Sequence, residues 1–521
     1  MTQAVSPSAA DLPGAGLWRW IGFAAMCGGM FMAVLDIQVV VTSLSVIETA
    51  LKIGAERMSW VQTAYLIAEI IAIPLTGLLI RILTMRILFA GATLAFTLAS
   101  IACALSFDFG SLIAARIVQG FAGGVLIPLV FAAVFLLFAE RQRALATTLA
   151  GIVAVLAPTL GPIVGGWLTE TASWHWLFLV NVVPGLVAAA LGARHLPREV
   201  PRLNALRQFD FLSLTYLALA LGALEIAIKD APHDGWSSAW VLSLLAITIT
   251  GGTAFIQRAL AGPAPLVDIT LLRDRHFAAA CALSFALGAA MFGMVYLIPV
   301  FLAFVRGYGP LRIGEIMLVT GAAQLVMAPF AAQIEKRIDA RLVTAAGFVL
   351  FATGLWLSAG DTRDTDYDGM FWPQVLRGAA MMLCLLAPTR IALGHLTPER
   401  IGDGSSLFNM MRNLGGAIGI ALVDTVIFSR APEHAEALMD KIRSGDAETL
   451  ALVGLTPADI AGDPDPMTLM SIAPDIEQLS LVLAINEAWM LLAAVAVAGL
   501  AALVFTRGLP APFRREESRP G

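Results

Sequence analysis

A chain of 521 residues with 58% hydrophobic and only 14% charged side chains, and a mean hydropathy of +0.81, departs sharply from the roughly 25% charge of a water-soluble domain. The formal net charge of −5 says little by itself, its distribution along the chain says more, and no nucleic-acid partner is expected. A hydrocarbon core about 30 Å thick requires about 20 apolar residues per crossing helix, and runs of that length recur from Trp18 to Thr506.

In chain order, residues 1–16 lack the basic start of a signal peptide, and the first apolar run continues without a small-residue cleavage site, so it reads as a retained helix. Breaks at charge, Gly and Pro clusters place fourteen helices at 17–44, 58–80, 86–106, 110–137, 144–168, 174–193, 210–229, 238–258, 277–304, 312–332, 341–359, 371–394, 404–429 and 480–506. The fold class expected is all-α and membrane-spanning. Cys27, Cys103, Cys281 and Cys384 lie inside apolar runs without metal-ligand spacing, so they read as small membrane-core residues. No metal, disulfide or cofactor is implied.

Positive charge near helix ends is retained in the cytoplasm. One set of alternate loops carries Arg81 and Arg86, Arg141 and Arg143, Arg194 to Arg207, Arg258 to Arg275, Lys336 to Arg341, and Arg400, with a tail holding Arg507, Arg514, Arg515 and Arg519. The opposite loops are short or acidic, as at Asp361, Asp364, Asp366 and Asp368. Both termini are therefore expected in the cytoplasm. Residues 431–479 are too polar to span and read as one external loop, partly helical and partly disordered.

A short internal repeat divides the chain. Arg116-Ile-Val-Gln119-Gly120 resembles Gln374-Val-Leu-Arg377-Gly378, each helix then reaches a Pro (Pro128, Pro388), and each is followed by Glu-Arg and by a helix opening with Thr147-Thr148 or Ser405-Ser406. Helices four and five thus match helices twelve and thirteen. The expected units are a cytoplasmic tail (1–16), a six-helix bundle (17–194), a linker with two inserted helices (195–260), a second six-helix bundle (277–506) that includes the external loop, and a cytoplasmic tail (507–521). Parallel repeats of this kind enclose a cavity that opens alternately to each side.

Ionisable groups inside spanning helices cost roughly 2.5–3.5 kcal/mol each on insertion scales and so face a cavity or a partner. They are Asp36, Glu69, Arg116, Glu225, Arg377, Arg412 and Asp424. Gln62, Tyr65 and Glu69 share one helical face, as do Arg116, Gln119 and Gly123, and Asn409, Asn413, Gly416, Ile420 and Asp424. A carboxylate in a poorly hydrated site binds or releases a proton as hydration and a nearby guanidinium change. Asp36 with Arg116 is the preferred pair, because both lie at comparable depth in the first bundle; the plainer reading is a fixed interhelical bridge. Glu69 and Asp424 are alternative proton sites, or else hydrogen-bonded contacts between helices. Glu225, close to Lys229, reads as a snorkelling or locally bridged acid rather than a coupling group.

On helix five, Ala157-Pro158-Thr159-Leu160-Gly161-Pro162-Ile163-Val164-Gly165-Gly166 sets small residues at three- and four-residue spacing, which admits a neighbouring helix closely, while the prolines remove backbone donors. Met291, Phe292, Met294, Met381, Met382, Phe408, Met410 and Met411 supply adaptable apolar contacts, or ordinary packing. The expected substrate cavity comprises Gln38, Gln62, Tyr65, Gln119, Met291, Met294, Asn409, Arg412 and Asn413.

Taken in order, Leu35-Asp36, Trp60-Val61-Gln62-Thr63-Ala64-Tyr65, Pro74-Leu75-Thr76-Gly77, Arg116 to Gly120 with Gly124 and Pro128, the GPxxGG run from Gly161 to Gly166, Trp174-His175-Trp176 to Gly185, Trp372-Pro373-Gln374, Ser405-Ser406-Leu407 with Arg412, and Asn486-Glu487 resemble the motifs of the fourteen-helix drug:proton antiporters of the major facilitator superfamily, the EmrB/QacA type. The resemblance covers nearly the whole chain. It implies a major facilitator fold, coupling through the helix-one Asp and helix-four Arg, and antiport through the motif holding Pro158, Gly161, Pro162, Gly165 and Gly166. It also implies a periplasmic adaptor feeding an outer-membrane channel, for which the 431–479 stretch is a candidate docking surface. One departure is that Gly77 to Arg86 reads GLLIRILTMR, without the acid and second Gly usual between helices two and three, so gating falls to contacts such as Arg81 and Arg86.

The leading expectation is proton-coupled export of lipophilic or amphipathic small molecules, that is, multidrug efflux. The alternative is a dedicated exporter of one metabolite, such as a siderophore, fatty acid or biosynthetic product. A membrane enzyme or receptor would need a nucleophile–base constellation or a large soluble domain, and the six histidines are scattered at helix ends and loops.

Overall fold

The computed structural model describes residues 15–201, 210–261, 268–394, 396, 400–456 and 466–506. Most of both expected tails, part of the linker after helix six, and Pro398 and Glu399 lie outside the described residues. Among the described residues, fourteen helices are long and apolar enough to cross a membrane: α1 Gly16–Val41, α2 Trp60–Ile80, α3 Met85–Ala104, α4 Phe109–Val134, α5 Arg141–Thr171, α6 Trp176–His195, α7 Phe211–Ala231, α8 Ala239–Ala261, α9 Arg275–Val305, α10 Pro310–Glu335, α11 Ala340–Ser358, α12 Tyr367–Leu393, α13 Asp403–Arg443 and α14 Met470–Thr506. The even number puts the start of α1 and the end of α14 on one face, called here the terminal face; the other is the far face. The protein is thus an integral membrane protein.

Helix packing repeats with an offset of eight. In the first half α1 packs on α4, α5 and α6, α4 on α2 and α3, and α3 on α6; in the second, α9 packs on α12, α13 and α14, α12 on α10 and α11, and α11 on α14. The two halves meet mainly through α5 with α10 and α2 with α13, themselves an offset-related pair of contacts. Glycines permit the closest approaches. A Cβ at Gly120 would meet Tyr65 O at 2.3 Å, and one at the repeat-related Gly378 would meet Thr320 O at 2.2 Å.

The inserted helices α7 and α8 form a hairpin whose α7 lies against α13 and α2. At its terminal-face end, Arg258 donates to both carboxylate oxygens of Asp210 (3.1 and 2.9 Å), and Asp210 caps α7 by accepting from Ser213 N. The Arg258 guanidinium holds the Asp210 carboxyl down at about 2.

The 431–479 segment is more helical than a connecting loop. Helix α13 continues to Arg443, a short helix spans Ala447–Leu452, and the last helix begins at Pro466. Leu438, Ile442, Leu450, Val453, Ile472 and Ile476 bury a small core of their own, which offsets the entropy of ordering a segment too polar for lipid. Arg430 clamps Glu487 at 2.6 and 3.1 Å, and His434 Nε2 lies 2.9 Å from the same carboxylate, so the hairpin is tied down where it leaves the membrane. At the start of the chain, α1 ends at Val41 and the connection to α2 contains a further short helix, Leu44–Leu51.

Candidate functional site

Asp36 sits five residues before the far-face end of α1, and Arg116 seven residues into α4, which places them about 8 and about 10 Å below that face at 1.5 Å per residue. Both side chains are fully enclosed. Arg116 Nη1 donates to Asp36 Oδ2 in a short ion pair and to Gln119 Oε1 at 2.7 Å, while its Nε donates to Val61 O of α2 at 2.9 Å. Gln119 Nε2 donates to Asp36 Oδ1 at 2.8 Å and to Ser100 Oγ at 2.9 Å. Asn181, at the start of α6, donates to Asp36 Oδ1 at 2.7 Å, the third donor to this carboxylate.

The guanidinium lies 4.5 Å from the Tyr65 ring centroid and 5.7 Å from that of Phe178, and Tyr65 in turn donates to Ala33 O at 3.2 Å. Five helices therefore contribute to one network, in which α4 and α6 donate to the α1 carboxylate. A buried carboxylate with three hydrogen-bond donors and an opposed guanidinium meets the desolvation cost that forbids an unpaired charge in lipid. Arg116 Nη2 remains without a hydrogen-bond partner, so the network has one donor in reserve.

A second group lies on the seam between halves. Glu69, mid-depth on α2, faces Arg412 and Asn413 of α13; it is buried, and its Oε2 has no hydrogen-bond partner. Arg412 is part-exposed. This is a carboxylate of one half set against a guanidinium of the other, at the place where relative motion of the halves would change their separation.

A third group closes the far face. Ser59 Oγ donates to Asp424 Oδ2, Lys229 Nζ donates to Ser59 Oγ, and Lys229 and Asp424 form an ion pair at 3.6 Å. Tyr296 of α9 also bonds Asp424, and Lys229 Nζ lies 4.7 Å from the Trp60 ring centroid. Glu225 is buried rather than snorkelling, and it keeps a charged neighbour in Lys229. The Lys229 ammonium turns inward because a buried carboxylate of opposite charge is in reach, and Glu225 faces both Lys229 and Asp424.

The Gly-Pro run on α5 is a seam between halves. A Cβ at Gly166 would meet Pro310 O at 2.2 Å, Gly314 approaches Pro162 O at 2.4 Å by the same measure, and Gly321 approaches Thr159 Cα at 2.7 Å. Gly161 and Gly165 instead pack within the first half, on Gln38 and Val39 of α1 (2.3 and 2.2 Å). Pro158 is part-exposed and Pro162 buried. Thus α5 and α10 interlock toward the far face, whereas Gly151, nearer the terminal face, has nothing within 4 Å.

Of the expected cavity residues, Met291, Asn409 and Arg412 are part-exposed, Gln38 and Asn413 mostly buried, and Gln62, Tyr65, Gln119 and Met294 enclosed. Tyr65 and Gln119 serve the Asp36–Arg116 network in this conformation, and Asn409 bonds its own helix at Ser405 O, 2.9 Å. Among the apolar set, Met291 and Met411 are part-exposed while Phe292, Met381, Met382, Phe408 and Met410 are core. Sequence reasoning missed Asn181 as a partner of Asp36, visible only as part of a helix-six motif. It also missed Lys229, whose partner Asp424 lies 195 residues away in the chain.

Comparison with known proteins places the chain in a family and a fold. The family model "Major Facilitator Superfamily" matches residues 26–420. The chain is 38% identical over 407 residues to "Colistin resistance protein EmrB" of Acinetobacter baumannii, covering 78% of this chain and 80% of that protein. It is 28% identical over 469 residues to "Multidrug export protein EmrB" of Escherichia coli (strain K12), covering 88% and 90%. A crystal structure of a bacterial homolog to the human lysosomal transporter Spinster superposes with a TM-score of 0.57 at 13% identity, covering 95% of this chain and 99% of that one, a likeness of fold. The chain belongs to the major facilitator superfamily, within its fourteen-helix drug:proton antiporter family of the EmrB type.

Proposed function

We propose that this transporter exports lipophilic or amphipathic small molecules in exchange for protons, by alternating access between its two halves, with the proton gradient as its energy source. The observation that carries the reading is the enclosed Asp36 carboxylate, held by Arg116, Gln119 and Asn181 from two other helices. A charge buried in this way is stable only while its donors stay in place. Any helix movement that withdraws Arg116 favours the protonated acid, and return of the guanidinium expels the proton. Glu69 against Arg412 and Asn413 gives the seam between halves a second charge pair that senses the same movement.

In this reading the terminal face is cytoplasmic and the far face external, which the arginine bias of the loops supports. The membrane is the bacterial inner membrane. The hairpin formed by the ends of α13 and α14, with its own small core, is then the external surface on which a periplasmic adaptor serving an outer-membrane channel would dock. The relatives' printed names, multidrug export and colistin resistance, support a broad amphipathic substrate class.

The test is transport in proteoliposomes. With the interior acidic and the terminal face outward, a lipophilic dye cation should accumulate in vesicles holding the parent, and Asp36→Asn should abolish gradient-driven accumulation. Equal accumulation with and without the gradient in the parent would overturn the coupling.

A further inference from the structure

The second half has its own buried guanidinium, and nothing above employs it. Arg377 of α12 occupies the place of Gln119 in the repeat, as Gln374 occupies that of Arg116, and the packing of Gly378 on α10 like that of Gly120 on α2 shows that the two segments are equivalent in space as well. In the first half the acid comes from α1. Its counterpart α9 carries Met291, Phe292, Met294 and Val295 in the middle of the helix and supplies no carboxylate there.

Arg377 is 1% exposed. Its stem passes over Gly354 of α11, where even a Cβ would stand 2.7 Å from Arg377 Cγ, and its guanidinium lies 4.7 Å from the ring centroid of Trp489 on α14. The charged group that faces it is Asp361, just past the far-face end of α11. Asp361 is 7% exposed, and its backbone carbonyl accepts from Asn486 Nδ2 at 2.8 Å, which fixes the turn against α14.

Arg377 Nε and Nη1, Asp361 Oδ2, Asn486 Oδ1 and Trp489 Nε1 are all buried without a hydrogen-bond partner. Buried polar groups are rarely left so, and a cluster of donors and acceptors is the setting in which water bridges.

We propose that Asp361 and Arg377 form a second proton-binding site, in the second half and entered from the far face, with water joining the carboxylate to the guanidinium. It rests on the proton-coupled reading above. Burial pushes the Asp361 carboxyl up to about 7, with Arg377 drawing it down, so the acid exchanges protons near neutrality. Other charges nearby are engaged elsewhere. Arg363 pairs with Asp475 and Asp364 with Arg306, Asp366 caps α12 and faces Tyr308, Arg306 and Arg312, and Glu487 of α14 is held by Arg430 and His434. Arg377 is left as the cation that controls Asp361.

Infrared difference spectra of the full-length protein in liposomes, recorded between about pH 5 and pH 9, test the site without requiring transport. The parent should show a carboxyl band titrating near 7 that is missing in Asp361→Asn. Arg377→Gln should move its midpoint upward, because the cation that favours the carboxylate is gone, and Arg377→Lys should restore it in part. In transport, Asp361→Asn should lower the number of protons exchanged per substrate while leaving Asp36-dependent coupling. A parent spectrum identical to that of Asp361→Asn, or a midpoint indifferent to Arg377→Gln in protein that binds substrate, would overturn the proposal. Ungated transport by a parent that still shows the band would overturn the antiport reading alone.

Discussion

Two adjacent glycines on α5 allow movement of the halves to be separated from stability of one half. An added Cβ at Gly166 would stand 2.2 Å from Pro310 O and 2.7 Å from Leu311 Cα on α10. Ordinary contact needs about 1 Å more, so Gly166→Ala must push the far-face ends of α5 and α10 apart. Overpacking of this kind costs about 1–3 kcal/mol, and at about 1.4 kcal/mol per tenfold it shifts the balance toward the far-face-open state by about 5- to 150-fold if opening relieves all of it. Gly165→Ala meets Val39 O at the same 2.2 Å, but on α1 of its own half, where opening brings no relief. Thr42 is 1% exposed and lies beside Pro299 and Val300 of the other half, so Thr42→Cys reports far-face opening through an impermeant maleimide. Labelling should accelerate in Gly166→Ala and not in Gly165→Ala, whose thermal midpoint alone should fall. Equal labelling in both, with both proteins folded, would refute a hinge seam at Gly166.

Lys229→Met leaves Asp424 as a buried charge without its cation, a loss of about 3–5 kcal/mol, so thermal unfolding should come markedly earlier; the double variant Lys229→Met with Asp424→Leu should recover most of it. Arg116→Lys keeps the charge but cannot hold Val61 O, Gln119 and Asp36 at once, so gradient-driven uptake should fail while substrate binding persists. The clasp between Asp210 and Arg258 has a carboxyl lowered to about 2. Its contribution is therefore present above the unfolded carboxyl value of about 3.9 and lost as pH falls through 2, and thermal midpoints of parent and Asp210→Asn should differ by the same small amount from neutral pH down to about pH 5 and converge in stronger acid.

Much of the architecture is legible in composition because the bilayer imposes a length on every crossing. That rule ends at the membrane surface, which is why the polar continuations of α13 and α14 read as loop: Leu438, Ile442, Ile472 and Ile476 form a core only when two helices separated by a turn are brought together. Helix periodicity assigns Glu69 and Asp424 to inward faces but not to partners, whereas comparable depth in the first bundle pairs Asp36 with Arg116, as the structure has them. Asn181, Lys229 and Arg377 meet acids that are remote in sequence or sit in a loop, and only the packing of α6 on α1, of α7 on α13 and of α12 on α11 brings them there. The substrate-cavity residues divide for a similar reason, since a polar face can serve a closed network or an open surface.

The account stands on proton exchange at Asp36 being linked to substrate. Calorimetric titration of the purified transporter with a lipophilic cation, repeated in buffers of differing ionisation enthalpy, measures protons released per substrate bound. The parent should release protons on binding, and that release should disappear in Asp36→Asn although binding remains; binding heats in the parent that do not vary with the buffer would refute the coupling.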